Sequence, residues 1–164
     1  MPDSFFVLLG QTIAAAGLVE LRVYQLVTSL DQVEQHLHAG NRLGKMIERC
    51  RKLLRGGQFR QDFAAKVEQA LLDVEDKMQR RNVVVHNVWT FTTGGSIFGW
   101  RPAPVGRRDE RTSSTPGIEV AKYGFASDDW TESDVLSLFD ALALLQHRLA
   151  DLRDESEWSR ISTG

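Results

Sequence analysis

Arg81-Asn82-Val83-Val84-Val85-His86-Asn87-Val88-Trp89-Thr90-Phe91-Thr92 admits two readings. Propensity favours a strand, because three consecutive valines lose side-chain freedom in a helix. Periodicity favours a helix: Val84, Val88 and Phe91 fall on one helical face, and Asn82 and His86 stand four apart. The choice decides the fold, because every long segment on either side reads as helix.

Upstream, three helical patterns lead to this stretch. The first runs from about Asp3 to Leu30, with Asp3 or Ser4 as N-cap and Phe6, Leu9, Ile13, Ala16, Val23, Leu26, Val27 and Leu30 at helical spacing. Gly10 and Gly17 lie seven apart on one face. Either another helix approaches closely there, or both are weak spots costing about 1 kcal/mol each. The second pattern follows the Gly40-Asn41 turn, with a stripe of Leu43, Met46, Ile47, Cys50, Leu53 and Leu54, and stops at Gly56-Gly57. Residues 42–60 hold seven basic residues against Glu48. The third begins near Gln61, with Phe63, Val67, Ala70, Leu71, Val74 and Met78 on its apolar side.

Downstream, residues 93–130 are rich in glycine and proline and read as a β-hairpin insertion, with strands at Ser96–Arg101 and Ile118–Ala126. The insertion is too poor in apolar residues to hold its own core. A last helix opens on Thr131, with Asp134 three residues on as its capping partner. Val135, Leu138, Leu142, Leu145, Leu149 and Leu152 give it a bundle-core stripe, while nine acids in residues 128–157 make the rest an acidic surface.

Composition bounds the function. The 164 residues suit a single domain, 42% are apolar and 26% charged, and the formal charge of −2 excludes a bulk polycation that coats nucleic acid. One cysteine rules out a disulfide framework and Cys-rich zinc sites, and points to a reducing cytoplasm. The run Phe5-Phe6-Val7-Leu8-Leu9 lacks the basic flank of a signal peptide, and the apolar stretch is interrupted at Gln11 and Thr12 and stops at Glu20, so neither export nor a membrane partner is expected. P-loop, dinucleotide and nucleophile-elbow motifs are absent. His36 and His38 stand two apart, the wrong spacing for a helical metal pair; His147 reads as surface and Cys50 as inert core.

Arg81 and His86 remain. A guanidinium clamps a phosphate and an imidazole moves a proton near neutral pH. Together they meet the minimum for RNA cleavage without a metal or cofactor: the imidazole takes the 2′-OH proton, the oxygen attacks phosphorus, and the cation stabilises the developing charge. The same spacing also arises by chance, as an Arg and a capping or packed His near a helix end.

The pattern Arg81-Asn82-x-x-x-His86, followed by Asn87-Val88-Trp89, resembles the HEPN family. So does the order of helices over residues 3–92 and 131–155, which leaves the 93–130 insertion uncovered. The resemblance implies an all-α bundle of four to five helices, a helix from about Gln79 to Phe91, and a homodimer with motifs facing across a cleft. It implies a metal-independent endoribonuclease of toxin or defence type, with an antitoxin protein as a further partner. Arg81 would hold the phosphate, His86 would transfer the proton and Asn82 would orient them. Inactive members serve as nucleotide- or protein-binding modules, the alternative function. One subgroup carries a tyrosine two residues after the histidine; Val88 occupies that position here, so neutralisation by nucleotidyl transfer is not expected. Glu20 is a candidate helper acid or a plain packed carboxylate. For RNA contacts the sequence offers Arg49, Lys52, Arg55, Arg101, Arg107 and Arg108, with Arg111 beside them. Trp100 and Tyr123 offer base-stacking surfaces or ordinary packing.

Overall fold

A computed structural model describes residues 3–32, 42–91, 97–102, 125–128 and 130–161. The architecture is an all-α bundle of four helices with a small sheet inserted before the last: α1 (Asp3–Asp31), α2 (Leu43–Arg55), α3 (Gln61–His86), β1 (Val88–Phe91), β2 (Ile97–Pro102), β3 (Phe125–Asp128) and α4 (Glu132–Glu155). The predicted apolar stripes of α3 and α4, and Met46, Ile47 and Cys50 of α2, supply walls of a shared core, whereas on α1 the buried face is shifted to Phe5, Leu8 and Val19, and Phe6 and Ile13 of the expected stripe are exposed. Phe5, Val19, Val23 and Leu26 of α1 meet Phe63, Val67 and Leu71 of α3 and Leu138, Leu142 and Leu149 of α4, all fully buried. Cys50 lies in the same core, where burial pushes its thiol up to about 12, too high for a nucleophile.

Side-chain ties set the helix directions. Gln146 Nε2 donates to the Ala15 carbonyl at 3.1 Å, and the Ser29 and Ser156 hydroxyls meet at 2.6 Å, so α1 and α4 run parallel. Lys66 pairs with Glu155 and Arg148 with Asp73, so α3 runs antiparallel to α4. The C-terminal segment returns over the far end: Arg160 Nη2 donates to the last-turn carbonyls of Ser29 and Leu30, and its guanidinium stacks 4.9 Å from the centre of the Phe59 ring. The orphan carbonyls of α1 are thereby capped by a cation.

The deciding stretch divides between its two readings. Helix holds through Val83-Val84-Val85 to His86, and strand begins at Val88. The helix expected to reach Phe91 therefore ends five residues early. Val84 is fully buried in the core, and that packing outweighs the poor helix propensity of the valines. Asn87 then turns extended, at φ −73° and ψ 142°, and the chain folds back. Trp89 Nε1 donates to the Val84 carbonyl at 3.1 Å, and its ring packs edge-on against Phe5 with centroids 4.9 Å apart. A continued helix would forfeit both contacts.

β1 also enlarges the expected hairpin into a three-stranded antiparallel sheet, in order β1-β2-β3. Of the second predicted strand, residues 125–126 lie in β3, and 118–124 fall outside the described residues. The α4 cap forms as read: the Asp134 amide donates to Thr131 Oγ1 while the Thr131 amide and hydroxyl donate to Asp134 Oδ2. No other described residue comes within 4 Å of a Cβ built on Gly10 or Gly17, so none of the described helices makes the close approach. Finally, α1 spans Asp3–Asp31, one residue beyond the expected helix. An 18-residue window has mean hydropathy 1.7, enough by length and composition to cross a membrane, yet a third of that window is buried in the bundle.

Candidate functional site

The motif sits where the bundle gathers its α1 N-terminus, α3 C-terminus and α4 N-terminus. Phe5 against Trp89 fixes α1 there, and Arg80, with its guanidinium carbon 5.3 Å from the centre of the Trp130 ring, fixes the start of α4. Arg81 is half-buried, and its Nη1 donates to Asn82 Oδ1 at 3.0 Å. Asn82 is itself exposed. Arg81 Nε is buried with no hydrogen-bond partner. His86 is exposed at the last helical position.

Because α3 stays helical through His86, Arg81 and His86 leave the axis about 140° apart, five steps of a 3.6-residue turn. One copy does not aim them at a common atom.

A residue without an assigned role stands next to them. Asn87 is buried, and neither its Nδ2 nor its Oδ1 has a partner. Gly99 of β2 presses on this carboxamide; a Cβ there would collide with Asn87 Nδ2. The signal in the sequence was an asparagine placed between the motif histidine and an apolar strand, where a packed aliphatic residue would be the ordinary choice.

The basic residues are divided. Arg49 grips Asp31 through two bonds, Nε to Oδ2 at 2.8 Å and Nη2 to Oδ1 at 2.6 Å, and these hold its pKa above the ordinary arginine value. Arg51 bridges Glu75 and Glu68 of α3, and the guanidinium holds the Glu75 carboxyl below its usual range. Lys45, Lys52 and Arg55 are exposed and make no ion pair with any described residue. They line a shallow open groove along α2 with Glu48, Arg49 and Arg51. This groove does not surround the motif: Glu75, which Arg51 holds, lies eleven residues before His86, roughly 16 Å along α3. Glu20 is placed further from helping. It stands fifteen residues beyond Phe5, roughly 22 Å along α1 from the end that carries the motif, and is better read as a packed carboxylate.

Arg101 lies in β2, in register with Ala126, and Trp100 pairs with Val88 and Ser127. Arg107, Arg108, Arg111, Tyr123, His36 and His38 fall outside the described residues. Among the described residues no group of three or more His, Cys, Asp or Glu converges as a metal site. Comparison with known families, curated proteins and solved structures returns no match.

Proposed function

We propose that the chain is a metal-independent endoribonuclease of HEPN type, a toxin or defence effector that works as a homodimer. The observation that carries this reading is an exposed His86 one and a half turns after an Asn82-braced Arg81, at the C-terminal end of α3. His86 takes the proton from a ribose 2′-OH. The freed oxygen forms a bond to the adjacent phosphorus, the bond to the 5′-oxygen breaks, and that oxygen leaves with a proton from solvent. Arg81 of the facing copy stabilises the charge on the phosphoryl oxygens. The products are a 2′,3′-cyclic phosphate and a free 5′-OH. Lys52 and Arg55, with Lys45, hold the strand's backbone away from the scissile bond. The exposed motif end is the surface that a cognate antitoxin protein would cover.

A second reading has its own observation. The two motif side chains diverge within one copy and Arg81 Nε is buried, which fits a non-catalytic module that binds a nucleotide or a protein. Cleavage of single-stranded RNA in EDTA separates the two. The wild type is expected to cut and His86→Ala to fall by about 10²- to 10⁴-fold with its fold intact. Absence of cleavage by wild type selects the binding module.

A further inference from the structure

The outward side of α1 is apolar where a lone bundle would be polar. Phe6, Val7, Ile13, Leu18 and Leu21 are between 39% and 58% exposed. Gly10, Ala14 and Gly17 are exposed between them. No Asp, Glu, Lys or Arg occurs from residue 4 to residue 19. On a 100° wheel the glycines form a seam, with Phe6 and Ile13 as one ridge and Val7 and Leu21 as the other. A surface helix normally turns charge to water; a contiguous apolar face of this kind marks something that covers it.

We propose that this face is covered by the same face of a second copy. A glycine seam between two ridges is self-complementary: one helix lays a ridge into the other's seam, and the missing side chains let the backbones close up. That accounts for Gly10 and Gly17, which nothing else in the described chain approaches. With a large apolar side chain at roughly 150–200 Å² when fully exposed, the five residues offer roughly 350–450 Å² per copy. Two copies reach roughly 700–900 Å² before the glycine seam and polar rim are added, which is the size of a small, weak interface.

The charges select a protein over a lipid surface. Helices that lie on membranes flank their apolar face with Lys and Arg. This face is bounded by Asp3 at one end and by Glu20 and Arg22 at the other, with a single basic residue and no cluster of them. Nor can α1 leave the bundle to insert, since its other side holds Phe5, Ala16, Val19, Val23, Leu26 and Val27 in the core. The interface does not depend on RNA cleavage. It bears on it through geometry: parallel pairing of the two α1 helices sets both His86-bearing ends together, and antiparallel pairing sets them at opposite ends.

Light scattering coupled to size exclusion tests the interface on the full chain. The wild type is expected at twice the 18.5 kDa chain mass. Ile13→Glu and Gly17→Arg, both at exposed positions, are expected to weaken the dimer by at least about 100-fold. Unchanged circular dichroism shows that the fold survives these changes. His86→Ala is expected to remain dimeric, which separates the fate of this interface from that of the cleavage reading. A monomeric wild type overturns the proposal. So does a dimer indifferent to both substitutions, and so does a monomer that floats with phosphatidylcholine vesicles.

Discussion

Replacing Asn87 by leucine is expected to stabilise this protein. A buried amide without partners costs about 1–3 kcal/mol, because folding strips its water and returns nothing. Asn87 is 8% exposed, and both its donor and its acceptor are unpartnered. Leucine has a similar branched outline and tolerates the extended backbone at φ −73° and ψ 142°. Crowding by Gly99 takes back part of the gain, leaving about 1–2 kcal/mol. For a chain of this length that raises Tm by roughly 2–8 °C. Urea and thermal denaturation followed by circular dichroism read the change directly. A loss of stability would refute the reasoning, for it would show that the carboxamide finds a hydrogen-bonding partner in solution. Cleavage measured on the same variant adds a second reading. Lost activity with gained stability marks Asn87 as a group kept for function at a thermodynamic cost.

The α4 cap gives a pH-dependent expectation. The Thr131 hydroxyl and amide hold the Asp134 carboxyl below its usual range. The cap therefore stabilises fully above the unfolded carboxyl pKa of about 3.9 and loses that contribution as pH falls through the lower folded value. Thr131→Ala should cost about 1 kcal/mol at pH 7, and the gap between variant and wild type in urea denaturation should narrow below about pH 3, where only the bond from the Asp134 amide to the Thr131 hydroxyl remains to be lost; a gap constant with pH refutes it. On α2, the double variant Lys52→Ala/Arg55→Ala in a His86→Ala background should lower the salt slope of single-stranded RNA binding by about 1.4, two phosphate contacts' worth, in fluorescence anisotropy. An unchanged slope would remove the groove from the RNA path.

The helices were legible because each stripe is a local code. Six apolar residues of α4 at spacings of three and four must share a face whatever they pack against, and all six are buried. The Thr131–Asp134 cap is equally local, since its donors and acceptors lie within four residues. The separation of Arg81 and His86 about the axis follows from the helical repeat alone.

The sequence by itself determined the helical stripes of an all-α bundle, the Arg81-to-His86 spacing and the cations of α2. Only the tertiary structure decided how far α3 runs and which cations are engaged. The valines stay helical because Val84 is sealed in a core built from three other helices, and the helix stops because Trp89 finds Phe5, eighty-four residues earlier in the chain. Arg49 is committed to Asp31 and Arg51 to Glu68 and Glu75, all distant along the chain. Competition of this kind is settled by which partners packing brings within reach, and local propensity carries no information about that.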